Sequence, residues 1–511
     1  MKKFIIVFIL FSFQLNIKAQ YSLNENDALR FSQTGFGGSA RSTAMAGAFG
    51  ALGADMSVLS TNPAGIGLYK KSEFTFSPTL FAGSTNTNFN GTQGTANNYN
   101  LFFNNIGLVI TSNPNESAKQ KGWKNIQFGI GFNKLNSFDS KTYIQGYSPF
   151  KFNGNTTYGT IMDVYYDDAY GKTPDQLNDF DTKLAFLTYL LDTVKSKTIN
   201  SVAPDYANDN NSIILQQKSI KTSGALNEMH ISFGGNFKDK LYLGATLGIP
   251  ILRYTESSTY TETIFADSVS GLRQLSIKDD KQISATGLNL KLGAIYRATE
   301  WLRLGASFQT PSIFFNMDTH FTRTISSDFS GGYSYSSDSP EDIINNSMIT
   351  PLRATGSLGF IIGKLGMIDV DYEYLNYAST RLSSTSSSTS ASTDNSFDNI
   401  NNNIKDKYGA ASNIRIGGEL NLAPFAIRAG YALYGNPYKS GSEYGNGERT
   451  SLTFGVGIRN ENFFIDFAYV NTMSKSNYYL YQTPQVFDYQ MQPASKKVSN
   501  NSFITTVGFK F

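Results

Sequence analysis

From Phe503 to Phe511 the chain alternates strictly: Phe503, Thr505, Val507, Phe509 and Phe511 share one face, while Ile504, Thr506, Gly508 and Lys510 share the other. A period of two is the signature of a β-strand whose faces meet different surroundings. The same period recurs along the chain. In "MIDVDYEY", Ile368, Val370, Tyr372 and Tyr374 oppose Asp369, Asp371 and Glu373. In "WLRLGASFQ", Leu302, Leu304, Ala306 and Phe308 oppose Arg303, Gly305, Ser307 and Gln309. "FFIDFAYV", "NIRIGGELNL", "LYLGATLGIPIL" and "FAIRAGYAL" repeat the plan. The polar face is rich in glycine, with scattered arginines and carboxylates, and the apolar face carries Tyr and Phe. A soluble sandwich would carry Lys, Glu and Thr on its outer face. This pattern instead suits a barrel with lipid outside and a wet interior, closed because an open sheet edge cannot persist in hydrocarbon.

The beginning of the chain supplies an address. Lys2 and Lys3 precede the apolar run Phe4–Phe13, and a short polar stretch leads to Ala19. Residues 1–19 read as a secretory signal peptide, too short to serve as a membrane anchor. Thereafter no run of about 18 apolar residues is present to form a spanning helix. Cys is 0, so neither disulfides nor a lipid-anchored N-terminus is expected. A net charge of +3 gives no broad basic field for nucleic acid.

Connection lengths alternate. Turns around Lys238, Thr299, Lys364, Ala423 and Asn460 are short, whereas polar stretches at 83–100, 139–222, 256–279, 311–343, 378–407, 435–447 and 473–498 are long. Short turns at one rim and long loops at the other are expected of an outer-membrane barrel. About fourteen strands result, at 72–82, 101–112, 124–138, 223–237, 240–255, 280–298, 301–310, 344–362, 366–377, 408–421, 425–434, 448–460, 463–472 and 499–511. The fold class is therefore all-β: a transmembrane antiparallel barrel over residues 72–511. Within the loop 139–222, Pro174 at a helix start and Leu184, Leu187, Leu191 and Val194 at helical spacing predict an amphipathic helix, either capping the barrel mouth or packed against neighbouring loops. Ser383–Ser396 is low-complexity and carries no assigned role.

Residues 20–71 lack long alternation. Gly47, Gly50 and Gly53 have the look of a phosphate loop, but no βαβ unit surrounds them, which argues against a nucleotide site. The small residues of "SARSTAMAGAFGAL" suit close packing against a glycine-rich wall, so this segment is expected to form a hatch, or plug, within the lumen. Asn62, Pro63 and Ala64 then make the turn that joins hatch to wall.

The stretch Gly35–Pro78 resembles the N-terminal signature of the outer-membrane transport family typified by the long-chain fatty acid transporter and the toluene-uptake channel, the FadL/TodX type. Met45, Gly47, Ala48, Asp55, Ser57, Asn62, Pro63, Ala64 and Gly65 match the family's pattern; Ala46 stands where glycine is usual and Ile66 where leucine is. The resemblance implies fourteen strands, an N-terminal hatch and passive uptake of hydrophobic molecules such as fatty acids in the bacterial outer membrane. It also implies a loop groove, a lumenal pocket, and a lateral exit at a kinked third strand, here near Gly131, Asn133 and Lys134. Phe36, Met45, Phe49 and Leu52 are the expected pocket lining. Arg303, Arg415 and Arg428, predicted inward, are candidate partners for a carboxylate head group, or else braces paired with Asp369, Asp371, Glu419 or Asp466.

An enzyme is not expected. Only His230 and His320 exist, no nucleophile–base grouping converges, and no metal or haem site is called for. Expected partners are a hydrophobic small molecule, membrane lipid and lipopolysaccharide, and the barrel-assembly machinery acting through the strand ending at Phe511, with the chain a monomer. The alternative function is a partner-binding component of a secretion system, or a surface interaction protein, working through the long loops.

Overall fold

Along Phe425–Tyr434 the side chains of Phe425, Ile427 and Tyr431 are exposed on the outside while Arg428 is buried within, and this inversion of the usual rule recurs around the molecule. The computed structural model describes residues 23–113, 116–148, 159–194, 196–202, 213–265, 271–385, 397–442, 444–482 and 491–511. The leader 1–19 and residues 386–396 of the serine-rich stretch lie outside the described residues.

Fourteen antiparallel wall strands follow one another in chain order. They are β1 (Glu73–Phe89), β2 (Thr92–Ser112), β3 (Trp123–Ser137, resumed at Ser140–Tyr147), β4 (Ile213–Phe237) and β5 (Leu241–Phe265). Next come β6 (Leu272–Arg297), β7 (Leu302–Gln309 with Ile313–Phe329), β8 (Asp342–Ile349 with Arg353–Ile362) and β9 (Gly366–Asn376 with Arg381–Ser384). The last are β10 (Ala410–Leu422), β11 (Phe425–Tyr434), β12 (Arg449–Arg459), β13 (Phe463–Tyr478) and β14 (Ala494–Lys510). The ladder closes where β1 pairs with β14, from Glu73 opposite Lys510 upward. Closure pairs the first strand with the last, so neither end of the sheet is left as an open edge in hydrocarbon.

The outward band carries Leu243, Leu292, Phe308, Leu358, Ile368, Ile416, Phe454, Val456, Phe467 and Phe503, all exposed. Polar groups turn inward instead. Arg428 donates to Glu419 at 2.5 Å and to Asp466 at 2.8 Å, and all three are buried. A mean hydropathy of −0.26 averages these two faces and so hides a membrane protein.

Several expected loops are strand. The stretch 83–100 is the upper part of the β1–β2 hairpin, turning at Asn90 and Gly91, both at positive φ. Much of 256–279 and 311–343 likewise continues β5, β6 and β7, with a further hairpin strand, Tyr333–Asp338, on β7. Above the membrane both faces of a strand meet water, so the apolar/polar alternation fades although the hydrogen-bond ladder continues.

The outer insertion also differs from the expectation. Pro174 opens only a short 3₁₀ turn, and the helix is Thr182–Leu187. Leu184 is buried there and Leu191 in a two-residue strand, while Leu187 and Val194 are exposed. Tyr189, at φ +58, ends the helical path. Leu184 joins Ile161, Met162 and Tyr165 from the helix Ile161–Ala169, and together they pack against Tyr260, Ile264, Leu275, Ile277 and Ile325 of β5, β6 and β7. The insertion thus seals onto the upper barrel.

At the start of that helix, Thr160 caps the Met162 N–H and the Asp163 carboxylate accepts the Thr160 N–H at 3.1 Å. Burial pushes the Asp163 carboxyl up to about 7; the Thr160 N–H opposes the rise and Glu262 adds to it. The folded insertion therefore favours the neutral acid. This contribution to stability is fully present below the unfolded value of 3.8 and is lost as pH rises through about 7. Hydrogen exchange across 159–194 should accelerate between pH 5 and pH 8 beyond the intrinsic base-catalysed change, and Asp163→Asn should remove that excess.

Candidate functional site

The segment from Leu23 to Tyr69 lies inside the barrel and touches most of its strands. Helix α1 (Glu25–Ser32) starts at Asn24, whose side chain accepts the N–H groups of Asn26 and Asp27. Phe31 packs edge-on against Tyr254 and Phe138, and Asp27 pairs with Lys281 at 2.9 Å. An extended stretch follows. Helix α2 (Ala40–Ala44), capped by Ser39, is held by Thr506, which accepts from the Ala40 N–H, and by Thr453, which donates to the Ala44 carbonyl.

Beyond α2 the backbone leans on the wall. The N–H groups of Phe49 and Gly50 donate to Asp371 and that of Ala51 to Asp369, at 3.1 to 3.3 Å. Asp55 accepts from the hydroxyls of Ser39 and Ser57, tying α2 to the next turn. Asn62 caps the 3₁₀ turn Pro63–Leu68 by accepting the Ala64 N–H, and donates to the Gly50 carbonyl at 2.6 Å. The Asn-Pro-Ala turn therefore stitches the segment to itself while it faces the wall.

The wall meets this segment with glycine. Gly107 and Gly131 face Met56; Gly129 and Gly234 face Ile66; Gly244 faces the Pro63 carbonyl and Gly293 the Asn62 Oδ1. Around the other side, Gly305 faces Gly50, Gly359 faces Ala51, Gly417 and Gly430 face Met45, and Gly455 faces Ala44. A Cβ on Gly244 would stand 2.2 Å from the Pro63 oxygen, and one on Gly293 2.0 Å from the Asn62 oxygen. Side chains there are sterically impossible without moving the plug.

Of the expected pocket lining, Phe36 borders two lumenal cavities. Met45, Phe49 and Leu52 are buried with Val58 against Ile361 and Met367; small residues around them let these side chains close on one another rather than line a space. Phe36 stacks on Tyr434 and stands between two lumenal cavities, both of which also touch Gly35, Gly37, Lys134 and Leu135. The first, of about 50 Å³, is polar and bordered by Lys291, Arg353, Glu373 and Arg415. The second, of about 180 Å³, is also largely polar: beside Phe81, Phe102, Val470 and Ile504 it is bordered by Asn104, Arg449, Thr472 and Asn500.

The three arginines have different employment. Arg303 donates to the Leu52 carbonyl at 3.2 Å and Arg428 is held by Glu419 and Asp466; each keeps one unpartnered nitrogen, Nε and Nη2 respectively, but neither borders the two cavities. Arg415 is buried, its guanidinium 3.5 Å from Asp371, with Nε and Nη2 lacking hydrogen-bond partners. Arg353, Lys291 and Glu373 were not singled out from the sequence; their strands show ordinary alternation, and only register brings them to Arg415.

The third strand does break. Pairing between β2 and β3 runs from Ser112 opposite Ile126 to Asn105 opposite Asn133 and stops there. The β3–β4 register slips between Lys134 and Asn136, and β3 is interrupted after Ser137. Gly131 is not part of the break: it sits within continuous pairing and its missing side chain makes room for Met56. Asn133 closes the last rung, accepting from Asn105 and donating to Ser60. Across the gap the contacts are between side chains, with Lys134 over the Phe102 ring at 4.1 Å and Asn100 donating to Asp139 at 2.8 Å. On the lumenal side the gap is backed by the N-terminal segment, where the Gly35 N–H donates to the Leu135 carbonyl at 2.8 Å and Asn136 donates to the Gln33 carbonyl.

The molecule is thus a closed transmembrane β-barrel of the outer-membrane type, its lumen occupied by the N-terminal segment and its wall pairing interrupted between β2 and β3. No protein-family model matches the chain, and no curated protein does. Among solved structures it is similar to a FadL homologue of Pseudomonas aeruginosa, at a TM-score of 0.54 and 12% identity over 93% of this chain and 100% of that one. It is also similar to the toluene transporter TodX of P. putida, at a TM-score of 0.50 and 12% identity over 93% of this chain and 99% of that one. The fold is therefore of the FadL/TodX type, as the N-terminal signature implied.

The glycine seat yields a direct test. Gly293→Val should displace the Asn62–Ala64 turn without breaking the β5–β6 ladder. We expect single-channel conductance in planar bilayers to rise at least several-fold over the wild type, while heat-modifiable migration on gels, the mark of a folded barrel, is retained.

Proposed function

We propose that this protein is an outer-membrane channel for passive uptake of hydrophobic small molecules, with the N-terminal segment as its hatch and the β2–β3 gap as its lateral exit. The observation that carries the reading is the juxtaposition of the interrupted β2–β3 pairing with an adjoining lumenal cavity that shares Gly35–Gly37, Lys134 and Leu135 with its neighbour. A hydrophobic solute is held back by the polar surface of the outer leaflet, and a path that ends sideways in the bilayer never exposes it to water. The TodX structure, that of a toluene transporter on the same fold, supports this substrate class.

Gly35–Gly37 is the moving part in this scheme. A Cβ on Gly37 would lie 2.0 Å from the Lys134 oxygen, so only glycine fits there, and few bonds hold the segment. Its withdrawal joins the two cavities. Long-chain fatty acid is the substrate we favour, because Arg415 offers unpartnered donors to a carboxylate in a site walled off from water.

Binding of a long-chain fatty acid to the purified barrel should be saturable and weaken about tenfold in Arg415→Ala, the effect of one charge-assisted hydrogen bond, while toluene binding is unchanged. Equal loss for both ligands would refute the head-group assignment. Because the chain has Cys 0, cysteines placed at Asn100 and Asp139 can be tied by a short bismaleimide. The tie should abolish uptake by cells and leave binding intact; unchanged uptake would refute the lateral exit.

A further inference from the structure

The outer wall between β3 and β6 is not the even apolar surface that a lipid-facing barrel presents elsewhere. Near the periplasmic rim it holds an apolar groove of about 610 Å³, bordered by Trp123, Ile126, Phe233, Leu243, Ala245 and Leu292. That volume is within the range of about 300–1,000 Å³ typical of small-molecule sites. The groove exists because small residues interrupt the large ones: Trp123 folds over Gly235, where a Cβ would stand 2.9 Å from its ring, and Ala245 leaves the neighbouring strand low. Behind it, Gly234, Gly244 and Gly293 stand side by side across β4, β5 and β6, so the wall is one backbone thick between the groove and the Asn-Pro-Ala turn.

A basic rim borders the same place. The Lys238 N–H donates to the Gly122 carbonyl and the Arg297 N–H to the Lys240 carbonyl, which strings Lys121, Lys124, Lys238, Lys240 and Arg297 along consecutive turns. Of the nearby carboxylates, Glu116 pairs with Lys119 and Glu300 lies within 3.7 Å of Arg297, while Asp239, bonded to the Asn236 amide, offsets one of the lysine charges and leaves a net excess. Lys121, Lys124, Lys238 and Lys240 are exposed and form no salt bridge among the described residues. Lys124 lies on the same strand face as Ile126, at the head of the groove.

We propose that this is a binding site for an anionic phospholipid of the periplasmic leaflet, one acyl chain lying in the groove and the phosphate among the four lysines. Charge selects the head group: a zwitterionic lipid brings its own cation into a cluster that already carries uncompensated positive charge. Apolar shape selects a lipid over a soluble anion. Trp123, amphipathic and at the interface, reports on the acyl chain.

The chain has Trp 2, so Trp301→Phe leaves Trp123 as the sole indole. Reconstituted into vesicles, this variant should be quenched by acyl-brominated phosphatidylglycerol more strongly than by acyl-brominated phosphatidylcholine. We expect a relative association of about fivefold or more, falling as salt is raised. Adding Lys121→Gln, Lys124→Gln, Lys238→Gln and Lys240→Gln should bring the two lipids to parity without loss of heat-modifiable migration. The converse variant, Trp123→Phe with Trp301 retained, should show no preference. Equal quenching of Trp123 by both lipids, or a preference that survives removal of the four lysines, would overturn the proposal. Inorganic phosphate that abolished the preference at millimolar concentration would overturn it in favour of a soluble-anion site.

Discussion

Everything inside this barrel depends on how closely two backbones can approach. The N-terminal segment is pressed against the inner wall at distances that leave no room for a Cβ, and nearly every strand it touches answers with a glycine. Such contact removes water from both surfaces, so each polar group there needs a protein partner. The segment meets that demand with Asp369 and Asp371 on its N–H groups, Asn62 on its own carbonyl, and serine–aspartate bonds between its turns. Glycine thus serves close packing here rather than flexibility, and the polar bonds decide where the segment sits.

The lumen is also a charged interior. Arg41 of α2 donates to Glu419, which is shared with Arg428, which in turn reaches Asp466 and its second partner Arg459. Removing one member of such a set leaves a buried charge uncompensated, at a cost of roughly 3–5 kcal/mol. The network therefore fixes α2 against β10–β13. By contrast Thr34–Gly37, between α1 and α2, hangs on a few backbone bonds beside a break in the wall. Firm anchorage on either side of a lightly held strip confines any movement to that strip.

Two chemistries coexist on one strand without conflict because the period of two separates them. Ile368 and Tyr372 face lipid while Asp369 and Asp371 grip the plug, one residue apart. The same separation puts Phe233 in the outer groove and Gly234 beneath Ile66. Function is thereby written on both sides of a sheet only one backbone thick.

Alternation, the short turns, the closing strand and the glycine-rich inner face made the barrel, its strand number and the direction of each side chain legible from residues alone, because a membrane imposes a strict rule on every strand that crosses it. The rule lapses outside the bilayer, so the upper strands were read as loops and the outer helix as longer than it is. The inner site was legible only in its parts. Which of Arg303, Arg415 and Arg428 turns its free donors to a cavity depends on neighbours supplied by other strands and by the N-terminal segment. Met45, Phe49 and Leu52 became core, not pocket, because the lumen closes around them. Where β3 leaves β2 is likewise a matter of register, set by pairing over the whole circumference. The sequence by itself determined what each strand faces; the tertiary structure decided what each inward residue meets, since those partners lie hundreds of residues apart and only the closed barrel brings them together.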